Sequence, residues 1–400
     1  MAARGGGMLA VRIVFDQRHA TEAYRGKGWA GPEEGHIWAI GTQSWLMLPP
    51  PDMRGSCLLS LTGWPHIRPG LLDSQKVAVM VNGYAVGSFD MACAGTLVSV
   101  VPPEAIAGKA ALCIRLGHPD CARPTDFPTS NSPDSRRLAV AYQELTLREL
   151  APDMLRLARD IRRALGRQAE SWLYRAPPVA DAVAKAEAAE AAAAFQSAGD
   201  DCEFGFVQRH LGIETLSLLR FSSMSIGNLT QGVLTGFDGI GEDGSLDILH
   251  YDEPDHDFMG RERRYGMLYH TMRRPGQISA ETLKAQEAKR LVLLARKYLE
   301  DVENGEHLFV VKQKSPLLPE QIAILGAAFR KRGKACLLWV LEADEAHPPG
   351  SAGWVVPGVM AGYVARIDVS PLRSIDMEGW IAMCRSAYAV WRRQEVLTRS

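Results

Sequence analysis

The sequence has no run of eighteen apolar residues, so nothing in it reads as a membrane-spanning helix. It has no basic excess either. Its 45 Lys and Arg stand against 46 Asp and Glu, which argues against a general nucleic-acid binder, since such proteins neutralise phosphates. The 7 cysteines, at positions 57, 93, 113, 121, 202, 336 and 384, are odd in number and form no CxxC pair. A disulfide framework or a cysteine zinc site has no spacing to rest on, and no metal or cofactor is expected. Neither a phosphate loop nor a dinucleotide glycine fingerprint occurs. The opening MAARGGGMLAVRIVFDQ lacks the long apolar segment and small-residue cleavage site of a secretory signal, so a cytoplasmic protein is expected.

What is present falls into three regions. Residues 8–150 read as short strands broken by Gly, Pro, Asn and Asp. Leu9–Phe15, Cys57–Leu61, Leu97–Val101, Ala110–Leu116 and Arg137–Leu147 are apolar or β-branched runs. Lys76–Val81 and Tyr84–Phe89 flank Asn82-Gly83, a pair suited to the positive φ angles of a type I′ hairpin turn. Regularly spaced short strands predict an antiparallel β-sandwich. Residues 151–194 predict helix: Met154, Leu155, Leu157, Ala158, Ile161 and Leu165 form one stripe, and an Ala/Glu-rich stretch follows Pro177-Pro178. This region is read as a helical linker. Residues 195–400 alternate strands and helices. Thr282–Val302 is an amphipathic helix, His307–Lys312 and Ala335–Leu341 are strands, and Pro319 and Gly333 bracket a helix between them. Strand, crossover helix, strand implies a parallel pair, hence an α/β domain with a partly parallel sheet.

Two stretches carry chemistry. Within residues 28–41 lie Trp29, Glu33 and Trp38 among four glycines. An indole can cover the apolar face of a pyranose while a carboxylate accepts its hydroxyls, so these three residues are candidates for glycan binding; the same indoles would equally close one end of the sandwich. The second stretch is Phe195-Gln196-Ser197-Ala198-Gly199-Asp200-Asp201-Cys202-Glu203-Phe204-Gly205. It reads as a strand, a turn, and a cysteine at the start of a helix, where the helix field favours a thiolate. The adjacent acids oppose that effect and suit capping instead.

Both stretches resemble known families. The G-W-x-x-P-E-x-G-x-x-W-x-x-G string, the Val79–Gly87 hairpin and Pro133–Ala141 resemble jelly-roll, galactose-binding-like modules of bacterial surface-polysaccharide proteins. This resemblance implies a jelly-roll-like sandwich whose partners are saccharides or polysaccharide-assembly enzymes. The Cys202 stretch resembles the S-L-G-x-x-C-E-x-G opening of a bacterial family of papain-like cysteine peptidases, over roughly residues 195–345. That resemblance implies Cys202 as nucleophile and a later histidine as base. His256-Asp257-Phe258 matches the family's H-D-F string, whereas His270 follows a strand-like segment and is preferred. The family's F-D-W string stands here as Phe221-Ser222-Ser223. The leading expectation is a cysteine-dependent hydrolase or acyl transferase linked to cell-envelope assembly; the alternative is a non-catalytic glycan-binding or scaffolding protein. A third reading, an enzyme of phosphates or nucleotide sugars, would use the arginines at 261, 263, 264, 273 and 274. The acidic run Asp252–Asp257 offers hard oxygen ligands for a divalent cation, or a solvated loop.

Overall fold

The computed structural model describes residues 9–17, 19, 21–49, 52–68, 70–127, 132–199, 202–250, 256–312, 317–367 and 375–399. The chain divides into two compact units, one ending at Leu155 and the other beginning at Arg156.

The first unit is built from β1 (Leu9–Val14), β2 (Trp29–Glu33), β3 (His36–Ile40), β4 (Gln43–Leu48), β5 (Cys57–Pro65), β6 (Gln75–Val81), β7 (Tyr84–Met91), β8 (Gly95–Val101), β9 (Leu112–Gly117) and β10 (Leu138–Glu149). One sheet runs β2-β3-β10-β5-β8, with β1 also on β10, and the other runs β4-β9-β6-β7. Every pairing in both is antiparallel. The long β10 organises the first sheet. It pairs with β5 along one edge, and with β3 and then β1 along the other. Alternate side chains from the two sheets fill one core, including Ile37, Leu59, Leu61, Val77, Val79, Ile114, Leu116, Tyr142 and Leu145.

The expected hairpin forms at Asn82 (φ 46°) and Gly83 (φ 86°). Asn82 also donates to the carbonyls of Ala105 and Ala111 and accepts from the Cys113 amide. Strands β2, β3 and β4 were not legible as strands. The glycines of residues 28–41 read as turns, and β4 carries no strand signal of its own; pairing with β10 and β9 holds these strands extended.

The second unit contains most of α1 (Pro152–Leu165), then β11 (Tyr174–Arg175), α2 (Asp181–Ala193), β12 (Phe195–Ser197), α3 (Glu203–His210), β13 (Ser222–Ser223), α4 (Ile226–Thr235), β14 (Leu246–Leu249), β15 (Met259–Glu262), β16 (Met267–His270), α5 (Ala280–Asn304), β17 (Leu308–Val311), α6 (Pro319–Arg332), β18 (Cys336–Glu342), β19 (Ser351–Val356), β20 (Val359–Val364) and α7 (Met377–Arg399). Its main sheet runs β11-β19-β20-β18-β17-β12, with β12, β17, β18 and β20 parallel. Phe309, Val311, Leu337, Trp339, Val359 and Ala361 share a core with Leu229, Leu294, Tyr298, Ile322 and Phe329 of α4, α5 and α6. The intervening residues Leu308, Val310, Leu338, Val340 and Met360 share a second core with Ala191, Phe204, Trp380 and Met383 of α2, α3 and α7. Helices therefore cover both faces, as a parallel sheet requires. A smaller antiparallel sheet, β13-β16-β15-β14, lies between α3 and α5 in sequence.

The segment 151–194, expected to act as a linker, is largely built into this second unit. Ala158, Ile161 and Ala164 of α1 enter its core, β11 adds to its sheet, and α2 packs on α7. The apolar stripe of α1 needs a partner surface and finds one here. Among the described residues, no helix is long and apolar enough to cross a membrane.

One buried base in the first unit predicts an acid sensitivity. His118 is fully buried, with Nε2 3.1 Å from the Ser44 hydroxyl, and burial pushes its pKa down to about 4. In the unfolded chain a histidine titrates near 6.5, so below that pH the unfolded state binds the extra proton. Stability should fall as pH drops from about 6.5 to about 4, by up to about 3 kcal/mol from this group alone. Urea unfolding across that window should show a shallower loss in His118→Asn than in the parent, and an identical slope would refute the assignment.

Candidate functional site

On the first sheet, residues that face away from the core make an aromatic cluster. Ile37, Ala39 and Tyr142 point inward and are fully buried, so their neighbours Trp38 and Ala141 point outward. Ala141 on β10 pairs with Trp38 of β3 on one side and with Trp64 of β5 on the other. The small methyl between them lets the two indoles meet edge to face, with centroids 6.4 Å apart at 84°. His36 lies 4.8 Å from Trp64 and 5.8 Å from Trp38, while His66 lies 6.2 Å from Trp38 and 5.8 Å from Phe127. Both indoles remain partly exposed.

Charge borders this cluster. Glu33 sits 3.3 Å from His36 Nε2 and accepts from Arg136 at 3.2 Å, and Arg136 also holds Asp134 at 2.7 Å. The Arg136 hydrogen bond keeps the Asp134 carboxyl below its usual range. Burial, aided by Arg68, lowers the pKa of His66, and its Nε2 is buried with no partner among the described residues.

The sequence candidates separate here. Trp38 and Glu33 belong to the outer cluster. Trp29 packs on the core instead: its ring stacks on Phe15 at 5.3 Å and its Nε1 donates to the Trp45 carbonyl at 2.8 Å. Trp64, His36, His66 and Arg136 were missed. A signal for them existed, since His36-Ile37-Trp38 and Trp64-Pro65-His66 each put an imidazole and an indole two residues apart, hence on one face of a strand.

In the second unit, the Cys202 stretch lies at the carboxyl ends of the parallel strands, the usual position of crevices in such sheets. Cys202 is the N-cap of α3 and is partly exposed. Gly199, Glu203 and Gly205 of this stretch are held by close contacts. A Cβ at Gly199 would come within 2.5 Å of the Lys312 carbonyl, and one at Gly205 within 2.3 Å of the Arg220 carbonyl. Glu203 is buried, accepts from Trp380 Nε1 at 2.7 Å, and pairs with the ammonium of Lys312, whose side chain is only 2% exposed. Asp200 and Asp201, read as caps, lie outside the described residues, as do Asp252, Glu253 and Asp255 of the acidic run.

His270 ends β16, and its amide donates to the Phe221 carbonyl at 3.3 Å. His256 and Asp257 precede β15, whose first residue Met259 pairs with His270. Both candidate bases therefore sit at the same end of the small sheet. Asp257 faces Arg274 at 3.6 Å. His270 lines a cleft of about 280 Å³ together with residues of 209–222 and α5; Cys202 is not among the lining residues. Phe206 of α3 stacks edge-on against Phe221 at 5.4 Å, so the Cys202 helix and the His270 strand touch the same residue. Four of the five arginines considered for phosphate binding are engaged with acids: Arg261 and Arg263 with Asp247, Arg264 with Asp238, and Arg274 with Asp257.

No protein-family model and no curated protein matches the chain. Among solved structures, it is similar to the CBM36-1 domain of a xylanase from the hindgut metagenome of Trinervitermes trinervoides, at 11% identity and a TM-score of 0.21, over 34% of this chain and 96% of that one. It is also similar to a family 35 carbohydrate-binding module from Clostridium thermocellum, at 12% identity and a TM-score of 0.19, over 35% and 90% of the two chains. A family GH115 4-O-methyl-alpha-glucuronidase matches at 10% identity and a TM-score of 0.23, and this chain spans only 18% of its length. Likenesses this slight assign no function.

The Glu203–Lys312 pair makes a stability prediction. Glu203→Gln strands the Lys312 charge in the interior, and Lys312→Met strands Glu203. Each should cost roughly 3–5 kcal/mol in urea unfolding, because a buried charge without its partner is costly. The double variant should lose less than the sum of the two; additive losses would show that the pair is not coupled.

Proposed function

We propose that the N-terminal unit is a saccharide-binding module and that its binding surface is the outer cluster on β3, β10 and β5. The observation that carries this reading is the pair of partly exposed indoles, Trp38 and Trp64, meeting over Ala141 beside Glu33, Arg136 and Asp134. An indole face covers the C–H side of a pyranose, and the flanking carboxylates accept its hydroxyl protons. The resemblance to surface-polysaccharide modules points to an envelope glycan as the ligand class.

Glycan-array binding followed by affinity electrophoresis tests this. Trp38→Ala and Trp64→Ala should each weaken binding by about tenfold or more, corresponding to roughly 1.4 kcal/mol. Both should fold, since neither indole lies in the core. Trp29→Ala should lower thermal stability instead. Retained binding in both outer variants would sink the proposal.

A second reading is favoured by one observation: α3, which begins next to Cys202, packs on Phe221, and Phe221 pairs with His270. In this reading Cys202 attacks a carbonyl carbon as the thiolate, and His270 takes the thiol proton and returns it to the leaving group. Iodoacetamide labelling read by peptide mass spectrometry decides it. Cys202 should label fastest of the seven thiols near neutral pH, and His270→Ala should slow it. A rate equal to that of the other accessible thiols, unchanged in the variant, would remove the catalytic role.

A further inference from the structure

The cleft that His270 lines has a composition of its own. Its wall is apolar, formed by Leu218, Leu291 and Leu294. At its rim stand Arg209 and Arg290, with side chains 47% and 44% exposed. Each guanidinium is oriented by a carboxylate but not consumed by it. Arg209 uses Nε towards Glu214 at 3.2 Å, and Arg290 uses Nη1 towards Glu287 at 3.2 Å. Arg209 also lies over the Phe221 ring at 4.6 Å, which fixes its plane. The two terminal nitrogens of Arg209, and Nε and Nη2 of Arg290, have no protein acceptor among the described residues.

Charge in the cleft does not balance. Arg220 also lines it and shares Glu214 with Arg209, at 2.7 Å, so three guanidiniums face two carboxylates. Two hydroxyl oxygens of lining residues, Thr215 Oγ1 and Ser217 Oγ, are buried without a partner among the described residues. Guanidinium edges without a protein acceptor match planar oxyanions. The rim residue Met272 adopts φ 56°, a left-handed conformation that a non-glycine side chain pays to hold and that recurs at ligand clamps.

We propose that this cleft binds a small organic anion, a carboxylate or a phosphate monoester carried on an apolar body. The anionic head lies between Arg209 and Arg290, and the body lies on the leucine wall. The site belongs to the C-terminal unit, is independent of the saccharide surface, and does not require Cys202 to react.

Titration of the full chain by isothermal calorimetry tests it, with four probes: phenyl phosphate, phenylacetate, inorganic phosphate and benzyl alcohol. Phenyl phosphate or phenylacetate should saturate a single site, and whichever binds tighter identifies the head group. Inorganic phosphate, which lacks the body, and benzyl alcohol, which lacks the charge, should each bind at least about tenfold more weakly. Arg209→Gln and Arg290→Gln should each weaken the preferred probe by about tenfold. Arg209→Gln should keep the parent melting temperature, because its partner Glu214 is exposed, whereas Arg290→Gln removes the partner of the buried Glu287 and should lower it. Arg163→Gln, on α1 and 82% exposed, should leave probe binding unchanged. Absence of binding by either organic anion, or equal affinity in the cleft variants and the parent, would overturn the proposal.

Discussion

On β10, Tyr142 and Ala141 leave the backbone on opposite sides, and much of the first unit follows from that alternation. Tyr142 enters the core with Ile37 and Leu145, while Ala141 leaves a shallow place on the other face that is just wide enough for two indoles to meet. Shifting β10 by one residue would turn Ala141 to the core face and drive Tyr142 between Trp38 and Trp64. The same rule splits the second unit's parallel strands, sending Phe309 and Val311 to one helical layer and Leu308 and Val310 to the other. Side-chain alternation thus separates core from candidate surface in the first unit, and one buried layer from the other in the second.

In the second unit the Cys202 stretch shows how a motif can carry structural and chemical duties at once. Gly199 and Gly205 are required by close backbone contacts, and Glu203 by an ion pair with Lys312 that also engages Trp380. These contacts explain most of the motif without any reaction. What they leave is Cys202 itself, partly exposed at the start of α3. That position suits a nucleophile and suits a structural thiol, and the reactivity of the sulfur separates the two roles.

Much of this fold was legible. The Asn82-Gly83 hairpin, the β-branched runs of the first unit, the amphipathic α5, and the Pro319-to-Gly333 helix between two parallel strands all appear where local preferences place them. Three features were not legible. Strands β2, β3 and β4 are held by pairing rather than propensity. Most of the segment 151–194 joins the second unit because its apolar stripe meets a core built from residues far along the chain. Trp29 and Trp38, nine residues apart in one motif, separate into core and surface because Trp29 pairs with the inward-facing Ala39, while Trp38, the residue before Ala39 on β3, faces the other side of the sheet.

Composition and periodicity determined what this protein is made of: a strand-rich first half, an alternating second half, balanced charge, and no apolar run long enough to span a bilayer. Those properties are local, and neighbouring residues are enough to express them. The tertiary structure decided which residues share a site. Trp38 and Trp64 are brought together only by their common partner Ala141, and Arg209 and Arg290 only by a cleft formed between α5 and the segment around Phe221. Such neighbours are set by strand register and helix packing, which depend on contacts across the whole unit, and no short window of sequence contains them.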